Sequence, residues 1–335
     1  MTNASMLRKG LLAASMVAFA TCGGAATSTD PSAPTVNTPP PTSTPPADPG
    51  PTPVTPPVDK GIGHVFVILM ENHNWADIKG SASAPYINGT LLPLGSRAEN
   101  YMNPTGLHPS LPNYLWLEAG TNFGIRNDSG PSTNHQSTTN HLVTLLEAAG
   151  ISWKSYQEDI SGTACPVNST GKYAPKHNPM VYFDDVINSS SYCIEHVRPY
   201  PELARDLEVD TVPGYSFITP NLCNDMHDSS GCASSDSIRN GDAWLAREVP
   251  KILGSPAFKR DGVLFITFDE GEGGNDGPIG FIALSRYAKG GGYSNTIRYT
   301  HSSLLRTVQH IFKVTPLLGD AANAADLGDL FTDWR

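Results

Sequence analysis

The 335-residue sequence is short of basic residues, with 22 Lys and Arg against 32 Asp and Glu and a formal charge of −10. That deficit argues against a nucleic-acid partner, which would need a basic face to meet backbone phosphates. It does not exclude a small anionic substrate, because one or two local cations suffice to bind one. Cysteine is also scarce. Of the five, none forms a CxxC pair or a Cys/His zinc spacing. A GxGxxG or P-loop glycine pattern is missing, and with it the common nucleotide-binding signatures. There is no internal repeat and no obvious amphipathic lipid-binding helix.

The N-terminal stretch 1–24 carries Arg8 and Lys9 followed by the apolar run LLAASMVAFA. It is too short and too rich in small residues for a membrane span and reads as an export signal. Phe19-Ala20-Thr21-Cys22 resembles a lipoprotein box. A lipid anchor on Cys22 is therefore one expectation, and ordinary cleavage that frees the protein is the other. Residues 25–60 are dominated by Pro, Thr and Ser with almost nothing apolar. Such a segment buries no core and favours an extended polyproline II spacer. The remainder, 61–335, fits a single α/β domain in length. An exported domain with four cysteines, Cys165, Cys193, Cys223 and Cys232, argues for two disulfides. Of the three pairings, Cys165 with Cys193 and Cys223 with Cys232 close the shortest loops.

Within that domain one phrase is written three times. VFVILMEN at 65–72 runs six apolar residues into Glu71 and Asn72. YSFITPN at 215–221 ends in Pro220 and Asn221, with Asp225 and His227 soon after, and VLFITFDE at 263–270 ends in Asp269 and Glu270. Short β-branched and aromatic runs of this kind are strands buried on both faces, as in a parallel sheet covered by helices. Ligands in such sheets sit beyond the carboxyl ends of the strands. Three ends rich in acids and amides therefore predict one oxygen-rich site at one sheet edge.

Further strands are expected at 95–101, 151–156 and 279–284, and helices at 84–92, 141–149, 243–253 and 302–312. Between them, LHPSLPNYLWLEAG at 107–120 reads as a helix, with Ser110 at the N-cap, Pro112 in its first turn and Gly120 closing it. Ser110 can be only a cap. It can equally be a nucleophile, because a hydroxyl beside free N–H groups suits attack on an anion. Residues 159–200 read as an irregular insertion or lid, with His177 and His196 expected at its surface.

Glu71, Asn72, Asp269 and Glu270 are hard oxygen ligands on two strand ends. Converging, they would repel one another unless a cation or protons intervene. An oxygen-only set suits Mg²⁺, Ca²⁺ or Mn²⁺ better than zinc. Carboxylates also keep their charge at lower pH than imidazoles keep their lone pairs, so such a site could hold metal in mild acid. The competing expectation is that strand-end acids merely cap nearby helices.

Together the EN pair, HPSLPNY from His108, PNLCNDMHD from Pro220, GDAWL from Gly241, TFDEGEGG from Thr267 and His301 with its helix resemble the bacterial phosphoesterase family. That family includes secreted acid phosphatases, among them mycobacterial ones, and phospholipase C enzymes. The likeness keeps motif order through nearly all of 61–335. It implies an alkaline phosphatase-like α/β/α sandwich with a mostly parallel central sheet. It also implies a divalent metal on Glu71, Asn72, Asp269 and Glu270 and a small phosphorylated substrate. By likeness to the nucleotide pyrophosphatases, Ser110 falls on the nucleophile and Asn113 on a phosphate-oxygen donor. Close relatives place Thr before HPS where this chain has Leu107, which leaves the role to Ser110.

The same resemblance puts Asp225 and His227 in the second half of the site, His227 as the acid for the leaving oxygen with Asp225 orienting it. His301 and, less directly, His108 are expected to contact phosphate. His227 and His301 completing a second metal site is the alternative to a single ion. The leading expectation is hydrolysis of phosphate monoesters through a phosphoserine intermediate in an exported acid phosphatase. The rivals are a phosphodiesterase of phospholipase C type and a surface-tethered binding protein with a degenerate site.

Overall fold

A computed structural model describes residues 61–273 and 276–334. The expected signal, Cys22 and the Pro/Thr-rich spacer lie outside the described residues. Among the described residues there are ten strands: β1 (His64–Met70), β2 (Ser96–Ala98), β3 (Tyr101–Met102), β4 (Trp153–Gln157), β5 (Val197–Pro199), β6 (Tyr215–Thr219), β7 (Gly262–Phe268), β8 (Phe281–Ser285), β9 (Ser294–Asn295) and β10 (Tyr299–Thr300). Eight form one sheet in the order β5-β4-β6-β1-β7-β8-β2-β9, and β10 pairs with β3 apart from it. From β5 to β7 every pairing is parallel, and β8 alone runs against its neighbours β7 and β2. The strand phrases seen in the sequence are the three central strands β6, β1 and β7. Central strands lack a solvent face, which is why their sequences are unbroken apolar runs. Val65 to Met70 and all of β7 are buried.

Register makes the functional edge. β1 and β7 pair from His64↔Gly262 to Met70↔Phe268, so Glu71 and Asp269 leave the sheet side by side. The Asp269 N–H donates to the Met70 carbonyl at 2.9 Å, and the Glu71 N–H to the Asp225 carbonyl at 2.8 Å. The latter bond ties the loop after β6 to the same edge.

Three helices support this edge. Ser110–Ala119 ends at Gly120, whose φ of 68° is the left-handed conformation that glycine adopts without penalty. His301–Phe312 begins with a capping box at Thr300 and packs against it. Ser237–Gly254 starts earlier than its apolar pattern suggests, because the Asp236 carboxylate caps it by accepting the Arg239 N–H. Within that helix Gly241 is needed for close approach, since a Cβ there would collide with the Met226 side chain. Its neighbour Asp242 accepts the N–H groups of Tyr86 and Ile87 at 3.0 and 2.8 Å, so the GDAWL motif is architectural.

The disulfides pair Cys165 with Cys193 and Cys223 with Cys232, as the short-loop argument expects. They suit an oxidising compartment. The first closes a loop containing Lys176 and His177, and the second a loop containing Asp225, His227 and Asp228. Among the described residues, no helix is long and apolar enough to cross a membrane.

Candidate active site

Ser110 is the first residue of its helix, one position inside the cap that the sequence suggests, and Pro109 holds the cap position. Its hydroxyl is buried and donates to Glu71 Oε2 at 3.2 Å. One turn further on, the Tyr114 hydroxyl donates to Glu71 Oε1. Residues i and i+4 share a helix face, so one face of this helix grips both oxygens of one carboxylate.

The four expected metal ligands come together. Asn72 has a φ of 50°, a left-handed conformation that asparagine tolerates better than most residues. This bend lets its N–H donate to Asp269 Oδ1 at 3.1 Å. Its amide end lies 3.3 Å from both Glu270 Oε1 and Asp269 Oδ1. With nitrogen inward it donates to both; with oxygen inward it adds a third acceptor that only a cation or a proton could reconcile. Asp269 Oδ1 also accepts the Glu270 N–H at 2.7 Å. Glu270 Oε2 meets Asn113 Nδ2 and His108 Nδ1, each at 2.8 Å.

Electrostatics single out these acids. Burial, then the charges of Asp269 and Asp225, holds the Glu71 carboxyl well above its ordinary range. Burial also raises Asp225, Asp269 and Glu270. For Asp269 the N–H groups of Asn72 and Glu270 work against that rise. Four such acids in one place are unfavourable without compensating positive charge. Asp225 Oδ2, Asp269 Oδ2 and His177 Nε2 are buried and make no hydrogen bond of regular geometry, a state that native proteins rarely tolerate without a function. The donor set therefore fits a divalent cation.

Two histidines are placed differently from expectation. His177, expected at the surface, is buried, with Nε2 3.2 Å from Glu71 Oε2 and Nδ1 3.3 Å from Asp225 Oδ2. Its ring stacks on Tyr114. Burial, then the charges of Lys176 and His227, pushes its pKa well down, so it stays neutral and free to act as a ligand. Glu71, His177 and His227 together place one ligand atom each within 4.8 Å of the others. His301, expected to contact phosphate, lies fully buried behind the strand end. Its Nε2 donates to the Asp269 carbonyl at 2.6 Å and its Nδ1 accepts from the Tyr101 hydroxyl at 3.1 Å. Burial lowers its pKa to about 4. Both nitrogens are thus occupied within the protein, and the ring fixes the backbone of Asp269. His196 is half-buried and stacks on Trp153.

The partner that orients His227 also differs. Asp225 accepts the backbone N–H of His227 at 2.8 Å, whereas the ring Nδ1 is held by Asp228 Oδ1 at 2.8 Å. His227 Nε2 accepts from Lys176 Nζ at 3.3 Å. Lys176 also donates to Asp128 Oδ2 at 3.0 Å. Burial alone would lower its pKa, but Glu71 and Asp128 outweigh that and hold the ammonium charged. Asn113 is buried beside Ser110, as its expected role requires, but its Nδ2 is committed to Glu270 and to the Leu107 carbonyl at 3.0 Å. His108 bridges Glu270 and Asp276. A cavity of about 410 Å³, lined by Asn72, His73, His108, His227 and Glu270 among others, opens onto these groups.

Of the residues missed in the sequence, Tyr114 was open to inference from its i+4 spacing to Ser110. His177 and Lys176 were not, because they lie in a long irregular segment without periodicity.

The mostly parallel sheet with helices packed about it is an α/β fold of alkaline phosphatase type. The fold is similar to a protein of the alkaline phosphatase superfamily from Vibrio parahaemolyticus, with a TM-score of 0.53 and 9% identity over 77% of this chain and 68% of that one. Residues 98–315 match the Phosphoesterase family, and the chain belongs to it: it is a phosphoric ester hydrolase. It is 33% identical over 270 residues to a phosphatidylinositol-3-phosphatase of Mycobacterium tuberculosis, covering 81% of this chain and 83% of that protein. It is 31% identical over 214 residues to a probable acid phosphatase of Kluyveromyces lactis, covering 62% of this chain but 47% of that protein.

Proposed function

We propose that the protein hydrolyses phosphate monoesters as an exported acid phosphatase, with Ser110 as nucleophile. The observation that carries this reading is the buried Ser110 hydroxyl at a helix start, 3.2 Å from Glu71 Oε2, beside Asn72, Asp269 and Glu270. The relatives' names, a phosphatidylinositol-3-phosphatase and an acid phosphatase, support the monoester class.

Glu71, Asn72, Asp269 and Glu270 would hold a divalent cation, which supplies charge neutralisation at phosphate and lowers the pKa of a nearby hydroxyl. Ser110 Oγ attacks phosphorus, forming a serine–phosphate bond as the ester oxygen leaves. Its hydrogen bond to Glu71 gives the hydroxyl proton a route off the oxygen. His227, held through Nδ1 by Asp228, is the acid for the leaving oxygen once its Nε2 carries a proton and turns from Lys176 to the substrate, so that an alcohol departs. Water then forms a new P–O bond, the serine–phosphate bond breaks and Ser110 regains its proton.

Lys176 faces the site as a fixed cation for the phosphate oxygens. Asn113 fixes Glu270 beside the nucleophile, Asp225 lies beside His177 and holds the His227 backbone, and His108 lines the phosphate approach. His301 acts by positioning Asp269. Turnover of p-nitrophenyl phosphate against bis-p-nitrophenyl phosphate, with Mg²⁺, Ca²⁺ or Mn²⁺ added, tests the reading. Monoester hydrolysis that is metal-dependent is expected. Preference for the diester would move the protein to the phosphodiesterases, and no turnover with any metal would refute catalysis at this site.

A further inference from the structure

Asp128 lies in the loop that follows the Ser110 helix, and each of its carboxylate oxygens holds a group suited to a phosphate oxygen. Oδ1 accepts the backbone N–H of Leu111, the residue next to Ser110, at 3.0 Å. Oδ2 accepts from Lys176 Nζ at 3.0 Å, and the same ammonium stands 3.3 Å from His227 Nε2. A free N–H in the first turn of a helix and a lysine are common donors to oxyanions. Here the chain supplies an anion of its own. It touches the residue after the proposed nucleophile and the lysine beside the proposed acid. Its charge is also felt deeper in the site. Burial first, then the charges of Asp269 and Asp128, pushes the Glu270 carboxyl up to about 9.

A helix cap joined to a salt bridge would also make these two bonds, but two features suit an exchangeable group better. Glu71, Asp225 and Asp269 are fully buried, whereas the Asp128 side chain is 28% exposed, so it can turn into solvent when its place is taken. The backbone beside it is held independently. Asn127 Oδ1 accepts the Ser129 N–H and Asn134 Nδ2, each at 2.9 Å, so release needs only rotation of one side chain. We propose that Asp128 is a stand-in for the phosphoryl group: substrate phosphate displaces its carboxylate from the Leu111 N–H and Lys176, and its return helps to expel inorganic phosphate after hydrolysis. This rests on the reading of Ser110 as the centre of phosphoryl transfer and of Lys176 as a cation for phosphate oxygens. A carboxylate with one charge yields the ammonium to a phosphoryl group that carries up to two. It competes with substrate and product alike. Uniform tight binding would lower KM without speeding the chemical step, so weakening it favours product release.

The test is Asp128→Asn, whose side-chain oxygen can still accept the Leu111 N–H while its amide nitrogen cannot accept from Lys176. Thermal melting checks that the fold survives, and Asp128→Ala, which frees both donors, decides should Asp128→Asn melt below the assay temperature. Inorganic phosphate is titrated into wild type and variant by calorimetry with Mg²⁺, Ca²⁺ or Mn²⁺ present, and its Ki is measured against p-nitrophenyl phosphate. The expected result is a Kd and a Ki for phosphate lowered about tenfold, the scale of one hydrogen bond to a charged group, with KM for p-nitrophenyl phosphate falling as well. Unchanged or weaker phosphate binding would overturn the inference and leave Asp128 as a cap that positions Lys176. The same titration of Ser110→Ala and Ser110→Ala/Asp128→Asn needs no turnover and separates the two readings. Tighter binding by the double variant, with undiminished turnover by Ser110→Ala, would refute the Ser110 reading and leave the exchange standing. Equal binding by the two, with Ser110→Ala inactive, would do the reverse.

Discussion

His177 Nε2 stands 3.2 Å from Glu71 Oε2, the same oxygen that accepts the Ser110 hydroxyl. An insertion outside the strand framework thus completes the environment of the carboxylate that meets Ser110. His177→Ala is expected to lower kcat by about 10–100-fold, the range seen when a group supporting a metal ligand is removed. Steady-state kinetics with metal titration checks it. A variant that keeps wild-type kcat at all metal concentrations would show the ring to be only packing.

Ser110→Ala removes the proposed nucleophile and one hydrogen bond to Glu71. The expected loss in kcat is at least about a thousandfold, with the fold intact, because deletion of a nucleophile removes the covalent route altogether. Rapid acid quench should trap phosphate on wild-type protein and none on the variant. Undiminished turnover would place the chemistry elsewhere.

The sheet and the acids at its edge were legible because burial on both faces writes itself as an unbroken apolar run, and the edge as an abrupt change to Glu71, Asn72, Asp269 and Glu270. Parallel pairing then converts three separate sequence endings into one place. The roles of the histidines were not legible in the same way. An imidazole at a helix start reads identically whether it faces a ligand or, like His301, holds a backbone carbonyl. His177 carries no periodic signal, since its position depends on how a disulfide-closed loop folds back. Asp225 and Asp228 are three residues apart, and only coordinates show which one holds the His227 ring.

Metal should stabilise the folded protein markedly. Glu71, Asp225, Asp269 and Glu270 are crowded and buried, and a cation bound only by the native state stabilises it by mass action, about 2.7 kcal/mol at a hundredfold excess over Kd. Melting is expected to shift up with saturating divalent ion and back with chelator. Asp269→Asn should lose most of that shift while melting no lower than wild type in chelator, because the substitution relieves repulsion. Equal metal-induced shifts in both proteins would exclude Asp269 as a ligand.

The disulfides have a functional reading. Cys165–Cys193 encloses Lys176 and His177, and Cys223–Cys232 encloses Asp225 and His227. Removing either by paired Cys→Ser substitution is expected to cost about 2–4 kcal/mol of stability through loop-closure entropy. At a temperature where the fold persists, metal affinity should also fall, because loops held less firmly present Lys176, His177 and His227 less well. Denaturant midpoints and metal titrations separate the two effects. Unchanged metal affinity would confine the bridges to stability.

The far end of the helix Ser110–Ala119 holds a buried charge arrangement that titrates. His141 Nδ1 lies 2.9 Å from Glu118 Oε1 and Nε2 3.0 Å from Asp185 Oδ2, with the ring stacked on Phe183. Burial alone would lower the His141 pKa; hydrogen bonds to Asp185 and Glu118 outweigh it and raise it to about 9. Glu118 is itself raised, chiefly by burial. A folded-state pKa above the unfolded value of about 6.5 gives stability that is fully present below that pH. It is lost as pH rises through about 9. The raised Glu118 carboxyl acts in the same direction, through its own lower range. The contribution is of the order of a few kcal/mol, given 1.36 kcal/mol per unit. Urea midpoints at pH 6 and pH 9 should therefore fall more steeply for wild type than for the His141→Gln/Glu118→Gln double variant, which keeps the shapes without the charges. Because Glu118 and Ser110 share one helix, the same loosening should make turnover fall further at alkaline pH in wild type than in the double variant. Identical pH slopes in the two proteins would show that His141 is neutral in the fold.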